Sequence, residues 1–367
     1  YDGRYELKDV IAKLGENMVA PARQDLLLAY AKLERELIRV KGFGEVAPRL
    51  VGRAAEHQFE LNRILDAKDD RYVFSIEMRD RSAFLQASPI DLAELLRTKL
   101  LNNHDRLIFT SATLSTGGDF EFFEQRVGIR GVVKRRQGED PIHLDDLPVE
   151  RLLLPPVFNY DEQALVYIPR RLPAPNKPGY VEGVITIVEY LVGLTNGRAF
   201  VLFTSYANMN AVHEALVDKL EHKVLKQGEA PRGELLEEFR KDTHSVLFAT
   251  SSFWEGVDVE GESLSLVIID KLPFANPSDP LTAARLNHLD STGKDSFREY
   301  SIPSAALALK QGFGRLIRSK SDIGAVAILD SRIVNRRYGQ YFLDSLPPAP
   351  VVYNASQFRD WWSERID

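Results

Sequence analysis

Cysteine is absent from all 367 residues, which excludes disulfides, cysteine-ligated zinc and an iron–sulfur cluster within this stretch. Histidine is scarce, at seven, and no two histidines are spaced as a ligand pair. His213-Glu214 begins like a zinc-protease helix but lacks a second histidine four residues on, so His213 reads as a helix-surface residue. No apolar run approaches the roughly 18 residues a membrane span needs, and the opening Tyr1-Asp2-Gly3-Arg4 is not a signal peptide. The expected compartment is therefore the cytoplasm, with no membrane partner. Without an initial Met, the chain reads as starting mid-domain, as an excised fragment does. A net charge of -6 argues against a generally basic nucleic-acid coat, although a local basic groove follows the local field and not the sum.

What is present is ordinary globular composition, 44% hydrophobic and 27% charged, at a length that suits about two domains. Residues 1–69 read as helical. Leu26, Leu27, Tyr30, Leu33, Leu37 and Ile38 recur at three- and four-residue spacing, and a second such stretch runs from Pro48 to Leu65. Tyr72–Ile76 reads as a strand. Pro89–Leu101 reads as a helix with Ser88 as N-cap and Pro89 in its first turn. Leu107–Thr110 reads as a short buried strand leading into Ser111-Ala112-Thr113.

From there the chain alternates. Near-continuous apolar runs at Leu165–Ile168, Ala199–Thr204, Ser245–Ala249, Leu264–Ile269 and Ala325–Leu329 suit strands covered by helices on both faces. Helices are expected at Val181–Leu194, Ala207–Leu220, Arg232–Lys241 and Pro303–Ile317. The pattern predicts a doubly wound α/β domain with a parallel sheet, whose active edge is the carboxyl ends of the strands. Leu346–Pro350 reads as the start of a C-terminal tail.

Polar clusters follow those strands: Thr204-Ser205-Tyr206, Thr250 to Asp258, Asp270 to Phe274, and Asp330-Ser331-Arg332. Lys310-Gln311-Gly312-Phe313-Gly314-Arg315-Leu316-Ile317-Arg318 adds two arginines three apart, which on a helix share one face. Guanidinium groups match phosphate oxygens in a fork and stay charged. The expectation is a single site combining the four strand-end loops with Arg315 and Arg318. A solvated basic helix face is the plain alternative.

These segments resemble the C-terminal motor domain of superfamily 2 DNA helicases of the DinG group related to XPD. The resemblance rests on Leu202–Tyr206, Ser252–Val259, Lys271–Phe274 with Pro277 and Pro280, Gln311–Arg318, Ser321–Gly324 and Asp330–Arg332, in that order. Upstream, Phe109–Leu114 looks like the family's Ser-Ala-Thr motif. The likeness covers roughly residues 70–345. It implies a RecA-like second motor domain over 116–367, preceded by an arch-like helical region (1–69). Between them, a segment of the first motor domain (70–115) ends in Ser111, Ala112 and Thr113, which couple the nucleotide and DNA sites.

By the same resemblance, Arg315, Arg318 and Gln311 act on the γ-phosphate of ATP, while Gly256, Asp258 and Gly314 line the nucleotide. Thr204, Ser205, Tyr206, Ser252 and Trp254 hold single-stranded DNA. Phe253 suits core packing as well as stacking. Arg332 reads equally as a functional residue and as a strand-end surface residue. The implied activity is ATP-driven 5′-to-3′ translocation and unwinding by a monomer, with ATP and Mg²⁺ required.

A phosphate-binding loop, Gly-x-x-x-x-Gly-Lys-Ser/Thr, is missing, as is the Mg²⁺-holding acidic motif. Ser291–Ser296 imitates the loop, but His288 stands where Gly belongs and Asp295 follows Lys294, so it reads as an exposed turn. The expectation is that a first motor domain lies N-terminal to Tyr1 and that this chain alone hydrolyses no ATP. A noncatalytic α/β module that grips a single strand or a protein is the other reading. A dinucleotide enzyme is disfavoured, because Gly312-x-Gly314 ends a helical stretch instead of linking strand to helix.

Overall fold

The computed structural model describes residues 3–39, 46–79, 82–130, 132–133, 142–143, 148–250, 253 and 264–366. The front portion holds β1 (Gly3–Glu6), α1 (Leu7–Leu14) and two long helices, α2 (Glu16–Arg39) and α3 (Val46–Asp66). β2 (Tyr72–Arg79) and β3 (Ser82–Pro89) form a hairpin, and β1 adds to β2 to complete a three-stranded antiparallel sheet. The described residues of 1–69 are therefore mainly helical, as α1, α2 and α3, apart from β1, whose four residues are too few to show a period. The helix expected from Pro89 starts later, as α4 (Ala93–Lys99), because Ser88 and Pro89 finish β3. Asp91 Oδ1 accepts from Ala93 N–H at 3.0 Å at the new start.

A short α5 (Glu121–Val127) follows, then the two-residue strands β4 (Val132–Val133) and β5 (Ile142–His143). After α6 (Tyr160–Gln163) the main sheet begins with β6 (Ala164–Tyr167). It continues through α7 (Tyr180–Leu194), β7 (Ala199–Phe203), α8 (Tyr206–Leu216), β8 (Val224–Lys226), α9 (Arg232–Lys241), β9 (Val246–Thr250) and β10 (Leu266–Ile269). The closing elements are α10 (Pro280–Ser291), a π turn at Phe297–Ser301, α11 (Ile302–Phe313), β11 (Gly324–Ile328), α12 (Arg332–Asn335), α13 (Gly339–Ser345), β12 (Val351–Val352) and α14 (Ala355–Ile366).

The seven strands lie in the order β12-β6-β11-β10-β7-β9-β8, and every pairing is parallel. Alternate residues point to opposite faces. Phe200, Leu202, Leu247, Ala249, Val267, Ile269, Val326 and Ile328 meet α9, α11 and α13. Val201, Phe203, Val246, Phe248, Leu266, Ile268, Ala325 and Ala327 meet α7, α8 and α14. Burial on both faces accounts for the continuous apolar runs, each large side chain contributing about 1.5–3 kcal/mol.

The C-terminal tail is part of this core. β12 pairs with β6, and Phe358 stacks on Trp362, which is 2% exposed. His213 also departs from expectation: it faces inward from α8, its ring edge-on to Phe248, instead of lying on the helix surface. Gly197 marks a forced turn before β7. Its φ is +77°, and a Cβ there would sit 1.9 Å from the His244 carbonyl oxygen. Of the exposed turn expected at Ser291–Ser296, Ser291 ends α10 and the turn follows at Thr292 and Gly293, the latter at φ +80°.

After β7 the chain turns toward β8, whereas after β10 it turns toward β11 on the other side. That divergence opens a crevice between the two loops at the carboxyl edge.

Candidate functional site

The crevice is organised by a buried carboxylate. Asp270, the residue after β10, accepts from Thr204 N–H at 2.8 Å, Thr204 Oγ1 at 3.5 Å and Asn208 Nδ2 at 3.2 Å. Burial pushes its pKa up to about 6, while these donors and the Lys271 charge pull the other way. Ser205 is the N-cap of α8, its Oγ accepting from Asn208 N–H at 3.3 Å. Thr204 and Ser205 thus shape the loop, and Tyr206 is what it presents outward, at 57% exposure. Gln227, just past β8, donates to Tyr206 Oη at 2.7 Å. Its Oε1 accepts from Thr250 N–H at 2.7 Å and Thr250 Oγ1 at 2.9 Å. One glutamine therefore ties Tyr206 to the exit of β9.

Next along the same edge, Asp330 is fully buried and paired with Arg332, whose Nε and Nη2 donate to its two oxygens at 2.9 and 2.6 Å. Leu272 N–H also donates to Asp330, at 2.9 Å. Arg332, left open by its sequence context, is a half-buried strand-end partner that also lies over the Phe274 ring. Tyr180, at the start of α7, donates to the Asp270 carbonyl and, at 3.3 Å, to that of Leu329.

The arginine pair does not join this edge. α11 stops at Phe313, four residues short of expectation, so Arg315 and Arg318 occupy the turn beyond it and not one helical face. Gly314, exposed, is the C-cap, at φ -62°. A helix between two parallel strands carries the chain back to their amino ends, and the contacts place the arginines there. Leu316 packs against Gly324, which opens β11. Gln163, just before β6, donates to the carbonyls of Ser319 and Asp322 at 3.1 and 2.9 Å. Expectation of one combined site at the carboxyl edge is corrected: the molecule has two edges with different equipment.

At the amino edge Arg315 and Arg318 adjoin, Arg318 Nε donating to the Arg315 carbonyl at 3.4 Å. Asp322 accepts from the backbone N–H groups of Arg318 and Ser319, each at 2.8 Å, and from Ser319 Oγ at 2.7 Å. Burial lowers the Arg318 pKa; Asp322 opposes that and Arg240 adds to it. Gln311, half-buried in the last turn of α11, stands one helical turn before Arg315.

The chain just after the Ser-Ala-Thr segment is bonded to the same helix. Leu107–Thr110 forms no strand, and Ile108 is 92% exposed, contrary to the buried strand expected. Apolar composition alone cannot make a strand without a neighbour to bond its backbone. Ser111 and Ala112 are exposed, and Thr113 N–H donates to Ser111 Oγ at 3.2 Å. Two residues later the chain is tied down. Lys310 Nζ donates to the Ser115 carbonyl at 3.1 Å and Oγ at 3.2 Å. Tyr341 Oη donates to Thr116 Oγ1 at 2.9 Å, and Gly117 N–H to Ser345 Oγ at 2.7 Å. Gly117 has φ +59°, and a Cβ on it would meet the Tyr341 ring at 2.5 Å.

Ser252, Trp254, Gly256 and Asp258 lie outside the described residues. Phe253 is described and buried, with Arg232 5.3 Å from its ring centroid, which fits packing. Sequence reasoning passed over Gln227, Asn208 and Lys310 as site residues. Only Asn208 left a trace, as the third residue after a Ser N-cap. Among the described residues no group of three or more His, Asp or Glu side chains gathers to hold a metal, and no helix is long and apolar enough to cross a membrane.

The sheet order and flanking helices define a RecA-like α/β fold. Residues 188–349 match the family model described as a helicase C-terminal domain. The chain is 40% identical over 319 residues to the ATP-dependent DNA helicase YoaA of Haemophilus influenzae, covering 87% of this chain and 46% of that protein. It is 36% identical over 278 residues to the ATP-dependent helicase DinG of Mycobacterium tuberculosis, covering 76% and 40%. It is 31% identical over 303 residues to the 3′-5′ exonuclease DinG of Bacillus subtilis, covering 79% and 31%. A solved XPD helicase structure superposes with a TM-score of 0.54 at 14% identity, over 84% of this chain and 54% of that one. That likeness concerns the fold. The chain thus spans at most about half the length of these curated relatives. Residues 188–349 carry the helicase C-terminal domain pattern, and the chain is similar in sequence to part of the YoaA and DinG proteins.

Proposed function

We propose that this chain is the strand-gripping and nucleotide-completing part of an ATP-dependent DNA helicase that moves 5′ to 3′ on a single strand. ATP, brought with Mg²⁺ by a first motor domain, meets the amino edge. Arg315 and Arg318 face the oxygens on which charge builds during phosphoryl transfer, a role worth about 10³–10⁵ in rate in related NTPases. Gln311 lies near the γ-phosphate; Gly256 and Asp258, assigned to the ribose side by the resemblance, lie outside the described residues and are given to neither edge. Among the described residues no ligand set is offered to Mg²⁺, so no step is assigned to it.

Single-stranded DNA crosses the carboxyl edge. Tyr206 stacks on a base, worth about 1–3 kcal/mol, while the Thr204–Ser205 loop, Ser252 and Trp254 position the strand. Ser111–Thr113 links the two edges to the first motor domain. The enzyme is a cytoplasmic monomer.

The observation that carries this reading is the separation of Arg315, Arg318 and Gln311 from Tyr206 across one rigid sheet, which gives nucleotide and strand an edge each. The test is ATP turnover by purified 1–367 with single-stranded DNA. The expected result is strand binding without hydrolysis, and DNA-stimulated turnover would contradict it.

A further inference from the structure

A second cationic group lies where α5, α10 and the π turn meet. Arg126, in the last turn of α5, holds its guanidinium 5.3 Å from the Tyr300 ring centroid. Arg285, on α10, donates from Nη1 to Tyr300 Oη at 3.2 Å and from Nε to the Ile90 carbonyl at 3.2 Å. The Phe122 ring stands 6.3 Å from that of Tyr300. Two guanidiniums thus flank one phenol.

The Arg126 charge is poorly compensated. Burial, and then the Arg285 charge, work against ionised Arg126, while Tyr300 and Asp91 favour it. Asp91 Oδ1 already accepts from Ala93 N–H. Among the described residues no acceptor is hydrogen-bonded to the Arg126 guanidinium. Arginine cannot shed its proton at working pH, so such a pair is costly unless an anion joins it. The backbone adds an independent sign. Tyr300, 8% exposed, sits in a π turn, a rare conformation found often at functional sites.

We propose that Arg126 and Arg285 form an oxyanion subsite that takes a phosphate of the bound single strand. α11 leaves the π turn and runs to the amino edge, so the pair lies at the carboxyl-edge level, with Tyr206, and away from Arg315. Guanidiniums beside aromatic rings match the alternation of phosphate and base in an unpaired strand. The proposal rests on the strand crossing that edge.

The test is fluorescence anisotropy of a dye-labelled oligothymidylate with this chain, over a range of salt. Wild type is compared with Arg126→Gln, Arg126→Lys, Arg285→Gln and Tyr206→Ala. Arg126→Gln is expected to weaken binding by about tenfold, the effect of losing one charge-assisted bond. The slope of log Kd against log salt should fall by about 0.7 for each arginine removed. Arg126→Lys should keep that slope but recover only part of the affinity, since an ammonium cannot fork. Should both Gln variants match wild type in Kd and slope while Tyr206→Ala binds more weakly, the subsite is wrong and the strand reading survives. No binding by wild type at low salt overturns both. Thermal protection by inorganic phosphate that needs Arg126, with strand affinity unchanged in Arg126→Gln, would assign the pair to a free anion and overturn the proposal.

Discussion

Replacing Lys310 with Met should loosen the strap that follows the Ser-Ala-Thr segment while leaving the domain folded. Met fills nearly the same volume, so packing on α11 is kept. What goes is a pair of donations to the Ser115 carbonyl and hydroxyl, at 3.1 and 3.2 Å. Hydrogen bonds from a charged donor contribute about 1.5–3 kcal/mol. Against that, burial lowers the Lys310 pKa, so the ammonium itself is held at some cost. The net loss should be about 1 kcal/mol and local, which corresponds to roughly fivefold easier opening. Residues 115–117 keep their bonds to Tyr341 and Ser345 but lose their tie to α11. Native-state hydrogen exchange reads this directly. The Gly117 amide should exchange about fivefold faster, and β7 and β10 amides should not change. Unaltered exchange at Gly117 would refute the strap. Loss of protection throughout the sheet would show that Lys310 holds the domain instead.

Other perturbations probe the same architecture. The folded pKa of Asp270, raised from 3.8 to about 6, lies above its unfolded value, so its contribution is fully present below about pH 4 and is lost as pH rises to 6. The loss is about 3 kcal/mol, at about 1.4 kcal/mol per unit, and thermal melts should show it in wild type but not in Asp270→Asn. Parallel curves would contradict the assignment. Arg332→Ala strands the fully buried Asp330 charge and should cost about 3–5 kcal/mol in a denaturant titration, with Asp330→Asn added to it restoring part of the loss. Trp362→Ala should cost about 3–5 kcal/mol, because α14 closes one face of the sheet. A loss below 1 kcal/mol would mean that the tail is dispensable.

How much of this was legible in the residues follows from burial. The five long central strands were readable because a parallel strand covered on both faces is apolar throughout. β8 and β12, with three and two residues, carry no period and were missed, and with β8 went Gln227. Leu107–Thr110 misled for the opposite reason, since its composition suits a strand but nothing pairs with it. The arginines were singled out by type and spacing, yet periodicity carried α11 too far, and they were grouped with loops of the opposite edge. Alternating parallel strands and helices already imply the right one, since each helix must end where the next strand starts. The bonds from Asp270, Lys310 and Gln227 join residues 66, 195 and 23 positions apart, and no local pattern announces them.

Two edges with separate duties is the claim on which the rest depends, and alanine at Arg315 or Arg318 in the full-length enzyme examines it most directly. Single-strand-stimulated ATPase should fall by about 10³-fold or more while the Kd for the strand stays within about twofold. If strand binding collapsed in step with ATPase, both arginines would be nucleic-acid contacts and the division of the sheet into a nucleotide edge and a strand edge would be wrong.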